Sequence, residues 1–257
     1  EGVSNYKLSK DRKWLAFKSG ESGKEQLFVM HTDALFTSEP AELTQSGDGL
    51  SNWDWSPDGS RIYFTRPNES DELNRTRKDK GFTVDIKNYA TPLESLWFLD
   101  MKSKESTRIT NDDSYTVGRF NISDNGKWVS YGGISADRYK RNITEQRINS
   151  DIFLYDVSKA NIERLTNNEE VSESTLSFSP DGKRIAFTAS SDMSGYNMNS
   201  RKVYVRSVTN TGGAFKKLGN KYDDHMGIGF WSEDGNTIYF NTGIRATRQL
   251  LSLDIEK

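Results

Sequence analysis

The sequence predicts an all-β fold: a β-propeller of five four-stranded blades, the last incomplete, forming part of a larger six- to eight-bladed propeller. Three observations predict it. One turn tetrapeptide recurs along the chain, apolar alternation flanks every copy, and a short polar segment closes each unit except the last. Self-similarity at a period of about 40–50 residues is the mark of propeller arrays.

The tetrapeptide reads Ser56-Pro57-Asp58-Gly59, Ser123-Asp124-Asn125-Gly126, Ser179-Pro180-Asp181-Gly182 and Ser232-Glu233-Asp234-Gly235, with a degraded copy at Ser9-Lys10-Asp11-Arg12. Proline presets φ at the first corner, Asp bonds nearby amides, and Gly accepts the positive φ that closes the turn. A first strand precedes each turn: residues 2–8, 52–55, 118–122, 175–178 and 228–231. A second follows: residues 14–17, 62–64, 128–131, 185–187 and 238–240. Strand, tight turn, strand is a hairpin. A third strand comes next, at residues 26–30, 95–100, 151–156, 203–208 and 250–254. The fourth is shorter and more polar, at residues 41–44, 107–110, 163–166 and 216–218. Four antiparallel strands with the outermost the most polar make a propeller blade. The blades fall at about 2–45, 50–111, 117–167, 174–219 and 226–257, in one domain over 1–257. Five first, second and third strands stand against four fourth strands, and no spare strand precedes the first. Blade five is therefore expected to lack its outer strand. The terminal blades are expected to expose open edges that favour self-association.

Composition narrows the function. Basic and acidic residues nearly cancel, 35 against 37, for a net charge of −2, which argues against a nucleic-acid partner. No apolar run approaches the ~18 residues of a membrane span. With no cysteine and only His31 and His225, thiolate metal sites and a cysteine nucleophile are excluded, and no metal or other cofactor is expected. No Gly-x-Ser-x-Gly elbow, phosphate loop or dinucleotide fingerprint occurs, so no catalytic residue is assigned.

In an up-and-down blade the second-to-third and fourth-to-next-first connections share one end, and the uniform turns occupy the other. Long, variable loops on a rigid scaffold are where function concentrates, and the second-to-third connections vary widely. Blade three's connection carries Arg138, Tyr139 and Arg141, suited to clamping a carboxylate. The fourth-to-first loops carry acidic pairs at Asp112-Asp113, Glu169-Glu170 and Asp223-Asp224, suited to an ammonium group or a cation. His225 follows the last pair. These ten residues are the candidates for facing a substrate or partner, beside the plainer reading that they are solvated loop residues. Carboxylates 112, 113, 223 and 224 leave open a metal-channel enzyme, which two histidines support poorly.

The Ser-Pro-Asp-Gly-x-x-Ile-x-Phe unit, as in residues 179–187, resembles the repeat of TolB-like propellers and of propeller domains in the prolyl oligopeptidase family of serine peptidases. Residues 81–100 and 152–168 resemble bacterial dipeptidyl and acylaminoacyl peptidase relatives in particular. That resemblance implies a non-catalytic propeller that gates short peptide substrates for a carboxy-terminal α/β-hydrolase domain bearing the Ser-Asp-His triad. The compartment is left open between the cytoplasm and the bacterial periplasm. None of the triad has a counterpart here. The dipeptidyl subgroup also binds the substrate amino terminus with a glutamate pair, and Glu169-Glu170 is a pair whose surroundings do not match that motif. The alternative from the same repeat is a TolB-like protein-binding scaffold with no hydrolase attached.

Overall fold

Each copy of the tetrapeptide builds the turn that its residue types dictate. In the second copy the Ser56 hydroxyl donates to Asp58 Oδ1 at 2.6 Å and accepts from Arg61 N at 2.9 Å, while Gly59 N donates to Ser56 O at 2.9 Å. The same hydroxyl-to-side-chain bond recurs from Ser9 to Asp11, Ser123 to Asn125, Ser179 to Asp181 and Ser232 to Asp234. Seryl hydroxyls and the amides beyond them hold the carboxyls of Asp11, Asp181 and Asp234 below their ordinary range. The closing glycines take φ of 65–70°. Asn125 does double duty: its Oδ1 accepts from Ser123, and its Nδ2 donates to Asp181 O of the next turn at 3.1 Å. A carboxylate has no proton for that second bond.

Arg12 stands where the other turns have glycine, and it is forced to φ 60°. A side chain in that region costs about 1–2 kcal/mol, partly offset by the extra freedom that glycine gives the unfolded chain. Arg12→Gly is expected to stabilise the chain by about 1 kcal/mol, read as a higher urea midpoint at unchanged m-value. An unchanged or lower midpoint would show that the strain is relieved elsewhere.

The computed structural model describes residues 2–45, 49–68, 76–77, 79–82, 93–111, 113–136, 150–168, 171–192, 200–210 and 212–256. They form nineteen strands in five antiparallel sheets. The first sheet holds β1 (Gly2–Leu8), β2 (Trp14–Gly20), β3 (Gln26–His31) and β4 (Ala41–Glu42), with a 3-10 turn at Thr32–Ala34. The second holds β5 (Trp53–Trp55), β6 (Arg61–Pro67), β7 (Glu94–Asp100) and β8 (Ser106–Arg108). The third holds β9 (Tyr115–Ile122), β10 (Trp128–Ser135), β11 (Ser150–Asp156) and β12 (Asn161–Arg164). The fourth holds β13 (Ser174–Phe178), β14 (Arg184–Ser190), β15 (Arg201–Ser207) and β16 (Lys216–Leu218). The fifth holds β17 (Gly227–Trp231), β18 (Thr237–Ile244) and β19 (Thr247–Asp254). Strand order in every sheet follows chain order, a meander, and the fifth sheet has three strands among the described residues.

The fourth strands pair over fewer residues than their sequence pattern suggests, because a threonine replaces the ladder. Thr44, Thr110 and Thr166 each accept a third-strand amide on the side-chain hydroxyl: Leu27 N at 2.9 Å, Leu96 N at 3.0 Å and Ile152 N at 2.9 Å. The residue before each threonine donates its amide to the carbonyl of the same third-strand residue. In the fourth sheet Gly219 occupies the threonine position.

The chain divides into two compact units, with the boundary in β9 between Val117 and Gly118. In the first unit the core lies between the first two sheets, where Leu27, Val29, Trp53, Ile62, Phe64 and Leu99 pack together. In the second unit both faces of the fourth sheet are covered. Ile185, Phe187 and Tyr204 meet Ile152 and Leu154 on one face, while Ala186, Val203 and Val205 meet Ile228, Trp231 and Phe240 on the other. Two-sided burial explains why β14 reads as a nearly unbroken apolar run.

Candidate functional site

Meander topology puts the starts of first and third strands at one end of each sheet. At that end each of the first four third strands carries a buried polar residue at its first or second position: Gln26, Ser95, Asp151 and Lys202. A polar group buried this deeply must find partners, and those partners assemble the site.

In the second unit Asp151 is 5% exposed and forms an ion pair with Arg164. Its Oδ1 accepts from Thr166 Oγ1 at 3.1 Å and from Asn168 N at 3.2 Å. Asn168 passes the network on, donating from Nδ2 to Glu173 Oε1 at 2.6 Å and accepting from Val171 N at 2.9 Å. Glu173 is 4% exposed, and its Oε2 has no hydrogen-bond partner among the described residues. Burial first, and then the charge of Asp151, push the Glu173 carboxyl up to about 7 against the pull of the Asn168 hydrogen bond. Arg201 lies on the other side, its Nη2 donating to Ser172 O at 3.0 Å, Ser174 Oγ at 2.7 Å and Thr188 O at 2.7 Å; burial lowers its pKa, and the charge of Glu173 works against that. Tyr204 donates to Ser190 O at 2.7 Å, and its hydroxyl is pushed up to about 12, chiefly by burial and then by Asp192 and Glu173.

The network continues to the next sheet. His225 Nδ1 accepts from Arg201 N at 3.2 Å, and its own amide donates to Asp224 Oδ1 at 2.7 Å. Lys202 is buried and donates to the carbonyls of Tyr222 and Asp224. Burial lowers its pKa, while exposed Asp223 and Asp224 work to keep it charged. In the first unit Asp113 pairs with Arg108 and accepts from Asn68 Nδ2 at 3.0 Å; Arg108 also donates to Ser95 at 2.8 Å.

Of the sequence candidates, Asp223, Asp224 and His225 therefore meet in the second unit's network, and Asp113 is held in a separate ion pair in the first. Asp112, Arg138, Tyr139, Arg141, Glu169 and Glu170 lie outside the described residues. Sequence reasoning missed Asp151, Glu173, Arg201 and Lys202. The signal available for two of them was a polar residue near the start of an otherwise apolar third strand. No group of three or more metal-ligating side chains occurs among the described residues, and no helix of theirs is long and apolar enough to cross a membrane.

Residues 136–242, which contain this network, match the family described as the dipeptidyl peptidase IV (DPP IV) N-terminal region. Dipeptidyl-peptidase 5 of Trichophyton tonsurans is 26% identical over 141 residues, which is 53% of this chain and 19% of that protein. The curated relatives of this kind are fungal and give a bacterial origin no support. Among solved structures, Pyrococcus horikoshii acylaminoacyl peptidase aligns with a TM-score of 0.60 at 16% identity, covering 99% of this chain and 38% of that one. TolB from Acinetobacter baumannii aligns with a TM-score of 0.50 at 17% identity, covering 99% of this chain and 50% of that one. The structural likenesses establish the fold, and the five sheets are β-propeller blades. With the sequence matches, they support the resemblance carried by the repeat: the chain is similar to the propellers of prolyl oligopeptidase-family peptidases.

Proposed function

We propose that this chain is the non-catalytic, substrate-selecting propeller of a serine peptidase whose hydrolytic residues lie on an α/β-hydrolase domain outside residues 1–257. The observation that carries the proposal is the family match over 136–242, which encloses the hydrogen-bonded loop end of the second unit. The chemistry fits a selecting role. Buried ion pairs and amide bridges tie down the strand ends of the second unit, which makes a firm platform suited to admitting an extended peptide and refusing a folded protein. Asp223 and Asp224, exposed beside a buried lysine, place negative charge at that end, suited to the positive amino terminus of a short peptide. The matched stretch of dipeptidyl-peptidase 5 is about a fifth of that protein, so the chemistry of the whole is assigned to the remainder.

Chromogenic dipeptide and acylaminoacyl substrates, incubated with the purified chain, are expected to release no product above the buffer rate. The full-length protein is expected to hydrolyse short peptides and leave folded proteins intact. Turnover by the chain alone that a serine-directed inhibitor abolishes would overturn the non-catalytic assignment.

A further inference from the structure

Asn125 is followed by Gly126, the one Asn-Gly step in the 257 residues. Such a step is chemically labile, because a glycine amide has no side chain to keep it from the neighbouring side-chain carbonyl. Asn125 is exposed, yet each reacting group is held. Gly126 N donates to Ser123 O at 2.8 Å, which occupies the attacking nitrogen. Asn125 Oδ1 accepts from Ser123 Oγ at 2.8 Å and from Lys127 N at 3.0 Å, while Nδ2 donates to Asp181 O at 3.1 Å. The amide lies so close to the closing glycine of the next turn that a Cβ on Gly182 would collide with it.

We propose that Asn125 is a self-modification site, deamidated when this turn opens, and that loss of the amide unlatches the third sheet from the fourth. Gly126 N attacks Asn125 Cγ; the new C–N bond closes a succinimide ring, and ammonia leaves with the Gly126 amide proton. Water then adds to either ring carbonyl, giving aspartate or isoaspartate. Both products are anions at neutral pH, and neither has a proton for Asp181 O.

The two products differ in what survives. Aspartate already serves at this position in the other four turns. Asp11, Asp58, Asp181 and Asp234 each accept the serine hydroxyl and the amide two residues on. The aspartate product therefore keeps its turn and loses only the latch. Isoaspartate carries the main chain through Cγ and lengthens it by a methylene, so Gly126 N and Trp128 N no longer fall at the spacing that Ser123 requires. The fourth and fifth turns are joined differently, by Arg184 Nη1 to Gly235 O at 3.1 Å, a link without this chemistry.

The test follows the purified chain in mildly alkaline buffer beside a synthetic peptide with the sequence of residues 120–127. Trypsin cuts after Arg119 and Lys127, so both report on the same fragment, whose mass rises by the difference between an amide and an acid. Asn125 is expected to convert roughly tenfold or more slowly in the folded chain, since only the opened turn reacts, and at the peptide's rate in denaturing urea. Ser123→Ala removes the hydroxyl that holds Oδ1 and is expected to speed conversion in the folded chain about fivefold, the worth of one hydrogen bond. Asn125→Asp is expected to lower the folded-to-unfolded ratio by a similar factor of about five while amide exchange at Gly126 and Trp128 stays slow. In the isoaspartate fraction, separated by chromatography, exchange at those two amides is expected to rise about tenfold. Conversion of the folded chain at the peptide's rate would overturn the proposal. So would no conversion in either the parent or Ser123→Ala, a rate that Ser123→Ala leaves unchanged, or an Asn125→Asp chain as stable as the parent.

Discussion

Phe187→Ala is expected to cost about 4 kcal/mol, the largest loss of any single truncation considered, read as a fall in the urea midpoint of the second unit. Phe187 is fully buried. Its ring stacks on Tyr204 with centroids 5.4 Å apart and meets the edge of Phe215 at 4.7 Å. Truncating a core Phe loses the transfer energy of the ring and leaves a cavity, together about 3–5 kcal/mol, and the aromatic pairs add their own share. Phe187→Leu keeps most of the volume and is expected to cost about 1–1.5 kcal/mol. Phe36→Ala is the internal control: Phe36 is fully exposed, and its loss is expected to stay within about 0.5 kcal/mol. The truncation also reaches the functional end, because Phe187 supports the Tyr204 ring whose hydroxyl is tied to Ser190. Equal effects at positions 36 and 187 would refute the packing between the third and fourth sheets.

The strand count was legible because its determinants are local. A turn that needs Ser, Asp and Gly at fixed offsets announces itself, and a sheet buried on both faces must be apolar at successive positions, as in Ile185-Ala186-Phe187. The threonine clamp was half legible: Leu43-Thr44, Ile109-Thr110 and Leu165-Thr166 stood out as strand ends, yet nothing in the pattern says that the hydroxyl takes the place of a ladder carbonyl. The site was legible only where residues were conspicuous neighbours. Asp223, Asp224 and His225 could be read as a cluster. Glu173, a single carboxylate flanked by serines, could not, because its environment is set by Asp151, Asn168 and Arg201, the last 28 positions away in sequence. Asn125 shows the same limit: its amide is explained by Asp181 O in the next turn, a partner with no trace in its own tetrapeptide.

Glu173→Gln is expected to remove a pH dependence of stability worth up to about 3 kcal/mol. The folded-state pKa of Glu173 is raised to about 7 from an ordinary 4.5, so the native chain binds its proton more tightly than the unfolded chain does. Linkage then fixes the sign: the unfolded state releases that proton near pH 4.5 while the fold retains it, and stability falls as pH rises from about 4.5 through about 7. Every tenfold difference in proton affinity between the two states is worth about 1.4 kcal/mol, which sets the ceiling. Burial is the main reason that Glu173 titrates so high, and the groups facing it do not reverse it. Asp151 repels the anion across Asn168, Arg164 is committed to Asp151, and Arg201, though its charge and that of Glu173 attract, directs its Nη2 to Ser172, Ser174 and Thr188. The anion therefore sits buried with one oxygen unpaired, and taking up a proton is the lower-energy remedy. Glutamine is neutral and keeps an oxygen for Asn168 Nδ2. The variant is expected to match the parent near pH 4.5 and to exceed it above pH 7, where the parent must hold a charge. Urea titrations at pH 5, 6, 7 and 8 read the slope directly. Parallel pH profiles for parent and variant would show that Glu173 is not the group that titrates, and a variant less stable at every pH would show that its carboxylate is paired by a group outside this network.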